Sequence, residues 1–382
     1  MSRNAIFLVA GEASGDRLGG ALAAELRRLR PGVELVGVGG PYMRDAGVTL
    51  LHDYEEFAVL GIAEVIGKLP FFRRILGQFE ERFRSDPPGL FIPIDFPDFN
   101  MRLAARAHSA GVPVLWYVSP QVWAWRSGRV KTLAKIVDRM VVVFPFEEAI
   151  YDKAGLPVSF VGHPLLERPG PVHDAATVRA RLGIAAGEKL VALLPGSRRQ
   201  EIRRILPPLA DAGRRLASSG VRAVLSRAPS IDAATFDDAL AAAGSPNLPV
   251  WSDDTASLVR AADLAVVASG TATLETGLLG TPLIVVYRMA GLSWELARRL
   301  VRVEHVGLVN IALGKRVAPE LLQGEVTGDD VASLVSGMLR DPERLATIRT
   351  ELAALPSRLG GPGASERTAR LALELLDRRG QA

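Results

Sequence analysis

The sequence predicts an α/β fold of two Rossmann-like domains facing a cleft. Three observations carry this. Short apolar runs alternate with longer amphipathic segments from end to end, the pattern of βαβ units and parallel sheets covered on both faces. The alternation restarts after Pro164–His173, a proline-rich polar stretch that reads as a linker. The length, 382 residues at 48% hydrophobic content, exceeds one ordinary domain and supplies a large core. The boundary is expected near residue 168, giving domains 1–168 and 169–382.

The first half offers strands at Ala5–Ala10, Leu35–Val38, Leu90–Ile94, Val114–Tyr117 and Met140–Phe144, with helical patterns such as Leu18–Leu29 and Met101–Ala110 between them. The second offers strands at Leu190–Leu194, Arg222–Leu225, Leu264–Val267 and Leu283–Val286, and helices at Ile202–Ala217 and Asp254–Ala262. Two further helices, Glu343–Ala354 and Ser365–Arg379, are separated by Gly360–Gly361–Pro362–Gly363. The last has two expected places, back on the first domain or on a partner subunit, so a homodimer is among the expected states. Ligands of open α/β sheets sit beyond the carboxyl ends of the strands. Each polar loop below follows an expected strand.

Composition narrows the function. The chain has no cysteine, which excludes disulfides and thiolate metal sites, and its five histidines lack ligand spacing, so no metal and no cofactor are expected. The balance of 46 basic and 42 acidic residues, net +4, does not argue for nucleic acid. The run Ala5–Ala10 is too short for a signal-peptide core and meets Glu12 and Asp16 at once. No apolar run reaches the roughly 18 residues of a spanning helix. A cytoplasmic protein is expected.

Asp263–Leu279 is the most informative stretch. An apolar strand runs into Ser269, Gly270 and Thr271, where a helix starts with unpaired N–H groups and a positive dipole end. Such a start binds anions, and Gly270 lets a phosphate approach the backbone. An ordinary Ser or Thr cap is the plainer alternative. Glu275 lies one turn beyond Thr271, and no cap choice among Ser269, Thr271 or Thr273 makes it a capping-box residue; a ribose diol would suit it. Gly196, Ser197 and Arg198 form a second element of this kind, offering backbone donors and a guanidinium fork to a diphosphate.

Three motifs mark the first half. Gly11–Asp16 is neither G-x-G-x-x-G nor a Walker loop; its Glu12 and Asp16 suit sugar hydroxyls, while Ser14 could simply cap a helix. Asp95 and Asp98 flank Phe96 and Pro97, and the apolar surround of Ile94, Phe96 and Phe99 could shape a general base; Asp98 as a helix cap is the alternative. Ser119, Trp123, Trp125 and Arg126 place two indoles beside polar groups, suited to stacking on sugars or to filling a core. Ile62–Phe83 is amphipathic at helical spacing, with Phe71 and Phe72 beside Arg73 and Arg74. It reads as a core helix or as a contact with an anionic membrane surface. A similar basic–apolar stretch at Leu292–Val303 strengthens the second reading.

Together these strings resemble the lipid-A-disaccharide synthase family of two-domain GT-B glycosyltransferases. The likeness rests on Val9–Asp16, Gly61–Val65, Pro97–Asn100, Tyr117–Pro120, Val122–Arg126, Phe160–His163, Leu193–Arg198 and Ser269–Ala272, in family order. Pro93 and Phe96 depart from it, standing where Gly and a small residue are expected. The resemblance implies transfer of a sugar from UDP-2,3-diacylglucosamine to the 6-hydroxyl of 2,3-diacylglucosamine 1-phosphate. The products would be a β-1,6-linked lipid A disaccharide 1-phosphate and UDP. It implies Asp98 as the candidate base with Asp95 beside it, and Arg198, Glu275 and Asn310 as UDP-binding positions. It also implies a protein peripheral to the cytoplasmic face of the inner membrane, since both substrates are acylated, and favours membrane contact for Phe71 and Phe72.

Overall fold

The structure, a computed structural model, describes residues 4–57, 62–124, 128–289 and 304–380, the side chains of 62–66 and 379–380 apart. The chain divides into two compact units, Met1–Glu167 with Leu359–Ala382, and Arg168–Arg358.

Among the described residues the first unit carries a seven-stranded parallel sheet. Its strands are β1 (Ala5–Ala10), β2 (Glu34–Gly39), β3 (Thr49–Asp53), β4 (Leu90–Ile94), β5 (Leu115–Tyr117), β6 (Arg139–Val142) and β7 (Val158–Phe160), in the order β3-β2-β1-β4-β5-β6-β7. All six residues of β1 are buried, which a parallel strand covered on both faces requires. The register runs Ile6↔Leu90 to Ala10↔Ile94 between β1 and β4. β4 pairs with β5 at Ile94↔Tyr117 and with Val114, just before β5, through an isolated bridge from Phe91; Pro93 between them has no N–H to give.

The core gathers where helix Ile62–Ser85 crosses this sheet. Phe7 is fully buried and meets the rings of Phe79, Phe83 and Phe91 at 5.1, 5.2 and 6.1 Å. Edge-on aromatic packing adds roughly 0.5–1.5 kcal/mol per pair to area burial. Helix Ala364–Gly380 packs in the same unit against helix Ala13–Leu29, with Arg30 bonded to Asp377 at 2.7 Å and Ser365 Oγ to Glu167 at 2.6 Å.

Among the described residues the second unit repeats the plan in six parallel strands, β8 (Leu190–Leu194), β9 (Arg222–Ser226), β10 (Val250–Trp251), β11 (Leu264–Ala268), β12 (Leu283–Tyr287) and β13 (Glu320–Leu322), ordered β10-β9-β8-β11-β12-β13. In each unit the first strand has its neighbours in sequence on one side and a later strand on the other. This is the Rossmann order, and ligands of open α/β sheets sit as a rule at the carboxyl ends of the two strands where it reverses. Those are β1 and β4 in one unit, β8 and β11 in the other.

Phe7→Ala should cost about 3–5 kcal/mol, the range for deleting a buried ring. Denaturant unfolding measures it, and a loss below about 1 kcal/mol would contradict the packing described.

Candidate functional site

In the first unit the chain leaves β1 through Gly11 and β4 through Asp95, so both loops open at the reversal point. Gly11 is required there: a Cβ would lie 2.3 Å from the Phe96 ring. Asp95 and Phe96 adopt left-handed backbone, φ 47° and 49°, unusual for residues with side chains. Buried Asn100 ties the loops together, its Nδ2 donating to Asp95 O at 2.8 Å and Val9 O at 3.3 Å.

Helix Pro97–Ser109 begins with Phe96 at the cap, so Asp98 is not a cap; it lies in the first turn, where the dipole favours a negative charge. The apolar surround expected for Asp98 is absent. Its side chain is 75% exposed and pairs with the Arg129 guanidinium, because Phe99 turns inward to the core and Ile94 is buried in the sheet. Asp95 is half-buried. Glu12 and Ser14 are exposed at the start of helix Ala13–Leu29, and Ser14 is not its cap. Asp16 is not available to sugar hydroxyls: it is 1% exposed and accepts the amides of Gly40, Tyr42 and Met43 at 2.7, 3.1 and 3.0 Å.

Beyond β5 and β6 lies a polar cluster that sequence reasoning only half found. Ser119 Oγ donates to Pro120 O at 2.8 Å and lies 2.6 Å from the Tyr151 hydroxyl. The Trp123 indole donates to Glu147 Oε1 at 3.1 Å. Glu147 Oε2 accepts the amides of Phe144 at 3.1 Å and Val143 at 3.3 Å. The carboxylate is 2% exposed, and burial pushes its pKa up to about 7 against those hydrogen bonds. Nothing in Pro145–Phe146–Glu147 distinguishes this glutamate from an ordinary surface acid. Arg126 lies outside the described residues.

In the second unit, loop Pro195–Arg198 follows β8 and Ser269–Thr271 follows β11. Gly196 has φ 113°, and a Cβ there would sit 2.2 Å from Glu201 Oε2. Two of the backbone donors expected for a diphosphate are already used. Glu201, in the first turn of helix Arg199–Ser218, accepts the amides of Ser197 at 2.8 Å and Arg198 at 3.2 Å. It acts as an internal anion at the helix start. The Arg198 side chain is 73% exposed. Gly270 caps helix Thr271–Leu278 with φ 148°, Thr271 is exposed, and Ser269 Oγ donates to Val306 O at 2.8 Å. The Glu275 carboxylate pairs with Arg168.

Asn310 has a different place from the ligand contact expected of it. It is fully buried, its Nδ2 donates to Ala318 O and Glu320 Oε1 at 2.8 and 2.9 Å, and its Oδ1 accepts the amides of Val317 and Ala318, both at 2.9 Å. The side-chain amide is fully engaged as a brace. Glu320, missed in the sequence, is 7% exposed and accepts the amides of Val306 and Gly307 at 3.0 and 2.8 Å. A linked chain therefore runs from Glu320 through Val306 to Ser269.

Phe71 and Phe72 are half-buried, because their rings meet Phe57 at 5.5 and 6.1 Å and so close the edge of the core. Arg73 and Arg74 are exposed, and Arg74 lies over the Phe71 ring at 5.6 Å. All of Leu292–Val303, like the side chains of Ile62–Ile66, lies outside the described residues. Among the described residues no helix is long and apolar enough to cross a membrane, and no group of three or more His, Asp or Glu could hold a metal ion.

Glu320→Ala should cost about 3 kcal/mol, since it strands buried amide donors. Thermal and urea unfolding measure it, and a change below about 0.5 kcal/mol would contradict the bracing role.

The chain matches the family described as lipid-A-disaccharide synthetase over residues 6–372. The lipid-A-disaccharide synthase of Syntrophus aciditrophicus is 43% identical over 378 residues, 98% of this chain and 99% of the relative. The calicheamicin glycosyltransferase, 18% identical, matches with TM-score 0.58 over 99% of each chain. The UDP-GlcNAc 2-epimerase from Neisseria meningitidis, bound to UDP-GlcNAc and 10% identical, matches with TM-score 0.58 over 98% of this chain and 99% of that one. The structural likenesses speak for the GT-B fold, and the sequence match for the activity. The chain belongs to the lipid-A-disaccharide synthase family, glycosyltransferases of lipid A biosynthesis.

Proposed function

We propose that this glycosyltransferase joins UDP-2,3-diacylglucosamine to 2,3-diacylglucosamine 1-phosphate with inversion, giving the β-1,6-linked disaccharide 1-phosphate and UDP. The observation that carries the reading is the contrast between the two reversal points. The first unit presents Asp95 and Asp98 there, and the second presents Arg198 and the start of helix Thr271–Leu278.

Asp98 takes the proton from the acceptor 6-hydroxyl, with Asp95 beside it, and Arg129 keeps the carboxylate aimed. The freed oxygen attacks the donor C1 from the face opposite the diphosphate, and the bond from C1 to the diphosphate oxygen breaks. Arg198 and the N–H groups at Gly270–Thr271 receive the charge that develops on UDP. Glu275 exchanges Arg168 for the ribose hydroxyls. Gly196, Ser197, Ser269 and Asn310 serve by shaping those loops. Gly11, Glu12, Ser14, Ser119, Trp123 and Arg126 belong to the acceptor side.

Both substrates carry acyl chains and so lie at the cytoplasmic face of the inner membrane. Phe71 and Phe72 dip into that anionic surface with Arg73 and Arg74 at the headgroups. Their partial exposure supports the contact, while their packing on Phe57 fixes its angle.

Asp98→Ala should lower kcat by about 10²–10⁴-fold, the range for a lost general base, and leave UDP affinity within a few-fold. Full activity in that variant removes Asp98 as the base. Replacing Phe71 and Phe72 with Ser should release the protein from anionic vesicles in a sedimentation assay; unchanged sedimentation returns both rings to a purely internal role.

A further inference from the structure

The Glu147 carboxylate takes no part in the steps above, yet it is among the most deeply buried acids in the first unit. Burying a carboxylate is costly unless hydrogen bonds replace water, and an apolar residue would fill the space without that cost. What the carboxylate provides is a link. One oxygen holds the indole of Trp123, beyond β5, and the other holds the amides of Val143 and Phe144, beyond β6.

Two features lie beside this link. Val118, at the root of the same loop, has φ 67°, a left-handed conformation that a β-branched residue adopts only when its surroundings impose it. Its carbonyl accepts the Trp116 indole at 3.0 Å, and its neighbour Ser119 is held by Tyr151. Trp123 of this loop also joins an aromatic platform. Half-buried Trp123 meets Phe146 edge-on at 5.4 Å, Phe146 stacks on Phe144 at 5.5 Å, and Phe146 is 37% exposed. An indole face beside an exposed phenyl suits a sugar ring carrying an acyl chain.

We propose that Glu147 is a positioning residue, which through Trp123 fixes this platform to seat the acylated acceptor sugar. The inference rests on the transferase reading above. Glu147 acts on the substrate only through Trp123, so its loss adds nothing once the indole is gone.

The test combines kinetics with spectroscopy. Glu147→Gln cannot accept from both the indole and the backbone amides, because its NH2 faces donors on one side. It should raise the acceptor KM about tenfold, the size of one charge-assisted hydrogen bond, with the donor KM unchanged. Trp123→Phe, which also removes the indole face, should raise it at least as much, and the double variant should be no worse than Trp123→Phe alone. Tryptophan emission should titrate in the wild type with a midpoint of about 7. Other titratable groups face this region. Tyr151 packs on Ser119, Glu148 accepts the Phe160 amide at 2.9 Å, and the His163 ring meets Phe144 at 5.2 Å. The transition should therefore vanish in Glu147→Gln and in Trp123→Phe but persist in His163→Gln.

An unchanged acceptor KM, additive effects in the double variant, or a transition that survives Glu147→Gln each overturn the inference. If Glu147→Gln fails to fold, Trp123→Phe interrupts the same bond from its other end. A wild-type protein that forms no disaccharide overturns the transferase reading instead, and the emission titration, which needs no substrate, still reports the Glu147–Trp123 link.

Discussion

The strand-order reversal is the constraint on which everything else depends. Right-handed crossovers send the connections of β1 and β4 to opposite faces of the first sheet, and those of β8 and β11 to opposite faces of the second. Where the connections part, the strand ends lead into loops. Four loops open there, and they are Gly11–Asp16, Asp95–Asp98, Pro195–Arg198 and Ser269–Thr271. The buried registers beneath them, Ala10↔Ile94 and Val267↔Leu194, leave these loops no freedom in where they start.

A second regularity concerns how the loops are held. Asp16, Glu147, Glu201 and Glu320 each grip at least two backbone amides just beyond a strand or at a helix start. Helix starts and loop bends leave amide donors without partners, and a carboxylate satisfies several at once. These four acids brace loops and helix starts from within the fold. Arg198 and Asp98, by contrast, have exposed side chains, and Glu275 pairs with Arg168. A rigid frame with a few exposed charges suits chemistry in which charge develops on a leaving diphosphate, because donors set in advance need no reorganisation.

Most of the architecture was legible because parallel strands buried on both faces read as unbroken apolar runs. The four strands that went unread are β3, β7, β10 and β13, which are the edges of the two sheets. They are short and only partly buried, so their sequences, such as Thr49–Asp53 and Val158–Phe160, carry no apolar run. Strand-following glycines and carboxylates were legible for the same topological reason. The anchoring acids were not. Asp16 reads as loop acidity and Glu147 and Glu320 as surface charge, because their partners are backbone amides, which no sequence pattern displays. Asn310 was noticed as a family position, but its bracing role follows only from the four hydrogen bonds that consume it.

The proposed reaction is a single displacement that joins two acylated glucosamines. The most direct measurement is NMR of the product formed from UDP-2,3-diacylglucosamine and 2,3-diacylglucosamine 1-phosphate. The account predicts a disaccharide 1-phosphate with a β linkage to the 6-position and one UDP released per linkage. An α linkage, or UDP released without any disaccharide, would contradict it.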